Sequence, residues 1–433
     1  MLKHLRLENV GPVDAEIQFG ERMNLITGDN GLGKSFLLDI AWWSMTRKWP
    51  AEVNPKLTTG KKALPRTEGA AEIDFSFTGK SKPVKYASHY ARPDQAWTGR
   101  SGRPANPGLV LYAMADGGFA VWDPARNYWR SQGDVDIQNR PSAYVFDPSE
   151  VWDGLPGSEG NWLCNGLIRD WASWQKEKGA TFKHLCAVLA VLSPSPEEKL
   201  IPGALTRISL DDARDMPTIH LPYGVDVPMV HASSGMRRII ALAYFLVWCW
   251  EEHQQAAKLL SEVPTKQIVF LIDEVESHLH PKWQRRIIPA LLNVVQSMSK
   301  SKNAQVQVLA VTHSPLIMAS VEPHFDDTQD AWFDFDLVRP DGTSHPTVEF
   351  KKRAFVRLGD VSRWLMSEAF DLGSARSLEA EKVLQQAAEI LSEKVINPAR
   401  AKALDAELRK LLGDTDPFWI RWRHIGEKQG WLP

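Results

Sequence analysis

The stretch Gly28-Asp-Asn-Gly-Leu-Gly-Lys-Ser35 decides how this chain is read. Gly28, Gly33, Lys34 and Ser35 satisfy G-x-x-x-x-G-K-[ST]. In that pattern the glycines let backbone N–H groups close around phosphates at a helix N-terminus, where the helix dipole also favours anions. The nucleotide-binding set is then Gly28, Asp29, Asn30, Gly31, Leu32, Gly33, Lys34, Ser35 and Phe36, with Lys34 reaching the β- and γ-phosphates and Ser35 holding Mg²⁺. The flanks agree. Arg22 to Thr27 is an apolar run with strand character, and Phe36 to Trp43 continues as a helix, so the order is strand, loop, helix.

Three later motifs carry complementary chemistry. Ile268-Val-Phe-Leu-Ile272 is a continuous apolar run, as a buried parallel strand should be, and it delivers Asp273 and Glu274 to its carboxyl end. Open α/β sheets place ligands there. Asp273 is positioned to orient Mg²⁺ and its water, and Glu274 to act as base or polariser toward an attacking water. Ser233-Ser234-Gly235, within Ala232 to Met236, opens another helix and offers a second anion site without a lysine. An ordinary helix cap has the same sequence. His313 follows the apolar strand Val306 to Val311 and lies at the same sheet end if the sheet is parallel, within reach of a γ-phosphate.

With 433 residues, 43% of them hydrophobic, the chain is long enough for a large core, and a net charge of −2 supplies no basic field that would by itself recruit nucleic acid. Ser299-Lys-Ser-Lys302 reads as a solvated turn. Cys164, Cys186 and Cys249 are far apart and lack metal-ligand spacing, which suits a reducing cytoplasm. The N-terminus has no signal-peptide pattern. Ile239 to Trp250 is the longest apolar stretch, far short of the roughly twenty residues that span a bilayer, and is expected as a buried helix; no membrane association is predicted.

Strands are predicted around Leu5 and Leu7, Ala15 to Phe19 and Ala71 to Phe77, a hairpin around Asp116-Gly117-Gly118, and helix over most of Trp162 to Leu192. After Glu274 the pattern predicts a helix over Trp283 to Met298, a strand over Gln305 to Thr312, and strands at Asp330 to Val338 and Thr347 to Lys351. Tail helices follow with stripes at Leu384, Ala388, Leu391, Val395, then Leu404, Leu408 and Leu411, broken at Pro398; these stripes suit core packing or partner docking. The expected division is 1–57 and 226–355 as two parts of one head, 58–225 as an inserted β/helical subdomain, and 356–433 as a helical tail.

Taken together, these motifs resemble the ABC-type ATPase superfamily, in the branch containing SMC, RecF and OLD-like ATPases. The resemblance covers residues 1 to about 50 and 230 to 320. It implies an α/β fold, a P-loop ABC-type head with a mixed sheet, that binds ATP and Mg²⁺ and closes two nucleotides between two copies. It further implies that Ser233, Ser234 and Gly235 form the signature completing the partner's site, that Ser277 to His280 form the D-loop, and that His313 is the switch histidine. Ala232 and Met236 depart from the usual signature, and His280 stands where transporters carry an acid. The family's Q-loop glutamine has two candidates, Gln95 and Gln138, with Gln138 preferred. A fused TOPRIM nuclease is not expected: Asp334-Phe-Asp336 reads as alternating strand acids. The function implied is a cytoplasmic ATPase gating a separately encoded effector such as a nuclease in antiphage defence. Rival readings are a DNA-repair or tethering ATPase, a transporter subunit, and a scaffold that binds ATP without turnover.

Overall fold

Helix Lys34–Thr46 is apolar nearly all round, with Leu37, Leu38, Ile40, Ala41, Trp42, Trp43 and Met45 all buried. A helix of that kind has no solvent face and must be wrapped. In the computed structural model it lies in a core shared by two sheets. The model describes residues 1–433 except 80–82, 100–105, 129–130, 133–134, 137–139, 158–159, 299–304, 340–344, 394–395 and 433. Ser299 to Lys302, Gln138 and Val395 lie outside the described residues.

The larger sheet has eight strands, in the order Tyr144–Phe146, Phe119–Trp122, Leu109–Ala113, Gln267–Ile272, Gln305–Val311, Met23–Gly28, Ala331–Val338 and Thr347–Arg353. The middle five run parallel, and antiparallel pairs finish both edges. Their runs are apolar because both faces are covered. Gln307 is one of several buried polar residues in these strands, with Asn24, Thr27 and Asp334. Its amide accepts from Leu2 N–H at 2.7 Å and donates to the carbonyls of Leu2 and Gly20 at 2.8 and 2.7 Å, tying the N-terminal strand to this sheet.

The second sheet is antiparallel, in the order Ala15–Gln18, Leu2–Glu8, Glu72–Thr78, Pro83–Ala91, Ala96–Trp97. Alternation puts Ile73, Phe75 and Phe77 into the core, where Trp43 packs against Phe75, Trp49 and Trp97. Helix Ser234–Leu259 contains the Ile239 to Trp250 run, fully buried as expected, and packs with helices Ala180–Leu192 and Ile287–Met298. Among the described residues no helix is long and apolar enough to cross a membrane.

Three expectations are corrected. Residues 58–225 do not stand apart: Glu72–Thr78 pairs with Leu2–Glu8, and Leu109–Ala113 pairs with Gln267–Ile272, so this stretch builds both sheets of a single compact unit, Met1–Gly359. The helix expected over 283–298 is two, Pro281–Gln284 and Ile287–Met298. Pro289 has no N–H to donate to Arg285 and its ring would meet that carbonyl, so the helix restarts with the proline in its first turn. In the tail unit, Asp360–Pro433, Leu384 and Leu391 pack against a core of Ala380, Ala387, Ile390, Leu404, Leu408, Trp419, Trp422 and Trp431 as the stripes suggest, and among the described residues only Ala388 and Leu411 depart, both exposed, with Leu412 buried in place of Leu411.

Candidate active site

The parallel strands Met23–Gly28, Gln267–Ile272 and Gln305–Val311 end together, so the loops bearing Asp29 to Lys34, Asp273 and Glu274, and His313 converge at one sheet end. Gly28, Gly31 and Gly33 have φ of 126°, 80° and 102°, the left-handed region that glycine tolerates. A Cβ at Gly28 would strike the Phe335 carbonyl, and one at Gly33 would meet Pro12 Cγ at 2.7 Å. No side chain caps helix Lys34–Thr46. Its first-turn N–H groups are therefore left for an anion, as a phosphate cradle requires.

Lys34 is buried and its ammonium donates to the carbonyls of Gly28 and Asp29 at 2.7 and 2.5 Å. Burial draws its pKa down to about 8, opposed by the fields of Asp273, Asp29, Asp334 and Glu274. Those same fields place the two strand-end acids near the lysine. Asp273 is buried, and burial pushes its carboxyl up to about 6, with the Ser35 hydroxyl pulling the other way and Glu274 adding to the rise. Its Oδ1 has no hydrogen-bond partner among the described residues. A buried carboxylate oxygen without a partner, beside a hydroxyl, is a hard oxygen donor set of the kind that takes Mg²⁺. The residues present therefore fit that ion.

Glu274 has φ 45° and His278 φ 62°, two non-glycine residues in the left-handed region within one short loop. Such strain gathers where a loop is held by its surroundings. The holders are two residues that motif reading left without a role. Arg238, on the first turns of helix Ser234–Leu259, donates to the carbonyls of Ala115 and Asp273 at 3.1 Å each, Glu274 at 3.3 Å and Met114 at 3.4 Å. Glu276 accepts from Thr312 Oγ1 at 2.7 Å and from His313 N–H at 2.5 Å, joining the D-loop to the histidine loop. Burial raises the Glu276 pKa. Burial, and then the Lys34 charge, lower that of His313, which leaves its ring neutral near pH 7.

Ser233 caps helix Ser234–Leu259, its hydroxyl accepting from Met236 N–H at 3.3 Å. Ser233 and Ser234 are exposed, and among the described residues no hydrogen bond joins them or Gly235 to residues 28–36. Gly235 is buried against the D-loop; a Cβ there would meet the His278 carbonyl at 2.5 Å. Among the described residues, the serines thus do not complete the phosphate loop of their own chain.

Gln95 is exposed in a turn of the antiparallel sheet, away from the strand ends. The loop that reaches Asp273 from the neighbouring strand is instead Met114 to Gly117, which follows Leu109–Ala113 and contains no glutamine. Asp334 accepts from Thr27 Oγ1 at 2.7 Å, and both Asp334 and Asp336 pair with Arg353, at 3.3 and 3.4 Å. The D-x-D acids are thereby engaged within their own hairpin.

Residues 23–319 match the family described as AAA domain, putative AbiEii toxin, Type IV TA system. The chain is similar to the Septu protein PtuA of Bacillus thuringiensis, 20% identical over 321 residues, which are 73% of this chain and 72% of that protein. It is similar also to the Retron Ec83 probable ATPase of Escherichia coli, 27% identical over 164 residues, 38% of this chain and 26% of that protein. Among solved structures, the SMC head domain from Thermotoga maritima aligns over 82% of this chain and 99% of that chain, with 16% identity and a TM-score of 0.38.

Proposed function

The chain belongs to the family described as AAA domain, putative AbiEii toxin, Type IV TA system, and from that premise we propose that it is an ABC-type ATPase whose two copies close on ATP and gate a separately encoded effector. The observation that carries the ATPase reading is the meeting of the open glycine loop, Lys34, Ser35, Asp273, Glu274 and His313 at one end of the parallel sheet.

In this reading the loop N–H groups from Asp29 to Ser35 hold the phosphates, and Lys34 exchanges its loop carbonyls for phosphate oxygens. Ser35 and Asp273 hold Mg²⁺, which when bound offsets charge on the β- and γ-phosphate oxygens. Glu274 accepts the proton of the attacking water. The neutral His313 ring donates one N–H to a γ-phosphate oxygen. Ser233, Ser234 and Gly235 of one copy cap the nucleotide of the other. Their exposure, and the lack among the described residues of any hydrogen bond to their own phosphate loop, support that placement.

The effector, a nuclease in antiphage defence, follows from the sequence resemblance, and the similarity to a Septu protein and a retron ATPase supports it. Substitution Glu274→Gln tests the engine. It is expected to keep nucleotide affinity while lowering turnover by ~10²–10⁴-fold, the usual worth of a positioned general base. Unchanged turnover would remove Glu274 from that role.

A further inference from the structure

Asp39 lies one helical turn beyond Ser35 on helix Lys34–Thr46, a spacing that puts the two side chains on one face. Its carboxylate is buried, accepts from the Tyr112 hydroxyl at 2.9 Å and takes a further hydrogen bond from the backbone of Gly60. Tyr112, itself buried, stands in register with Leu271 on the adjacent parallel strand. Two residues beyond Leu271, Asp273 N–H donates to Ala113 O at 2.9 Å, so the strand bearing the phenol is zipped to the strand that ends in Asp273.

Keeping a carboxylate in this place is costly. Burial, reinforced by the fields of Asp273 and Asp116 and opposed by the Tyr112 and Gly60 hydrogen bonds, pushes Asp39 up to about 7. An apolar pair would fill the same core without that penalty. What the acid and phenol add is direction: one bond fixes the helix that carries Ser35 against the strand neighbouring Asp273.

We propose that Asp39 and Tyr112 are a positioning pair that sets the separation of the Ser35 hydroxyl from the Asp273 carboxylate, and so the fit of the site for a divalent cation. Mg²⁺ demands near-ideal octahedral geometry, which makes the spacing of its two protein donors consequential. Groups that orient metal ligands without touching the metal are typically worth about 10–100-fold in metal affinity. The inference rests on the metal reading of Ser35 and Asp273 given above.

The test uses the full chain, with ADP affinity measured by calorimetry at a series of Mg²⁺ concentrations and without Mg²⁺, alongside the melting temperature of the metal-free protein. For Asp39→Asn and Tyr112→Phe the Mg²⁺ concentration giving half of the affinity gain should rise by roughly 10–100-fold, with metal-free ADP affinity unchanged. A purely structural hydrogen bond would lower the melting temperature and leave that Mg²⁺ midpoint where it was, which would overturn the inference. Should Asp39→Asn not fold, Tyr112→Phe, which keeps the ring and its packing, decides alone. A wild-type protein indifferent to Mg²⁺ would overturn the metal reading itself and this inference with it. A Mg²⁺-dependent wild type with unmoved variants overturns the inference only.

Discussion

At the scale of single residues, the site is set by charges held out of water. Lys34 is drawn down to about 8 and Asp273 pushed up to about 6, both chiefly by burial. The signs differ in consequence. Above about 8 the folded protein gives up the Lys34 proton that an unfolded chain keeps to roughly pH 10.4, so this group makes stability rise with pH across that window. Between roughly 3.9 and about 6 the folded protein keeps the Asp273 proton that an unfolded chain has released, so that group makes stability fall as pH rises there. In the proposed reading, binding of Mg²⁺ and nucleotide needs both groups charged. Calorimetry across pH should therefore give a bell, with affinity rising through about 6 and falling through about 8, and Asp273→Asn should abolish the acidic limb. A flat profile would contradict the assignment of these two groups. Phosphate-loop residues are legible from sequence because each has a local reason: glycines where φ is positive, a lysine at a fixed offset, a hydroxyl beside it. Arg238 and Glu276 are not, because their partners are backbone groups that only the folded chain brings near.

At the scale of elements, loops are held by atoms of other loops. Arg238 joins the first turns of helix Ser234–Leu259 to the carbonyls of both strand-end acids, and Glu276 joins the loop after Glu274 to the His313 loop. Substitution Arg238→Gln removes a cation from several buried carbonyls. It is expected to destabilise the protein by about 1–3 kcal/mol and to lower turnover while sparing nucleotide affinity, since Lys34 and the glycine loop are untouched. Melting temperature, turnover and nucleotide titration check this together; full turnover with normal stability would show the contacts to be incidental. Elements with a strong local period were legible, including the strand, loop and helix at residues 22–43, the buried Ile239 to Trp250 run, and the hairpin at Gly117. The role of residues 58–225 was not. Leu109–Ala113 finds its neighbour in Gln267–Ile272, far along the chain, and no local pattern announces a pairing at that range. Gln95 falls outside the site for the same reason, since the place of a Q-loop is defined by strand order and not by spacing in sequence.

At the scale of the whole molecule, one chain presents a phosphate loop with its acids and, elsewhere on its surface, an exposed helix start that does not serve that loop. In the proposed reading, a second copy completes each of these two halves. The measurement that tests this most directly is sedimentation of Glu274→Gln with ATP and Mg²⁺, set beside the same protein without nucleotide and beside a double variant that adds Ser234→Arg. A nucleotide-dependent dimer is expected, abolished by the added arginine, with ATP still bound by the separated chains. A mass that does not respond to ATP, or a dimer indifferent to Ser234→Arg, would contradict it.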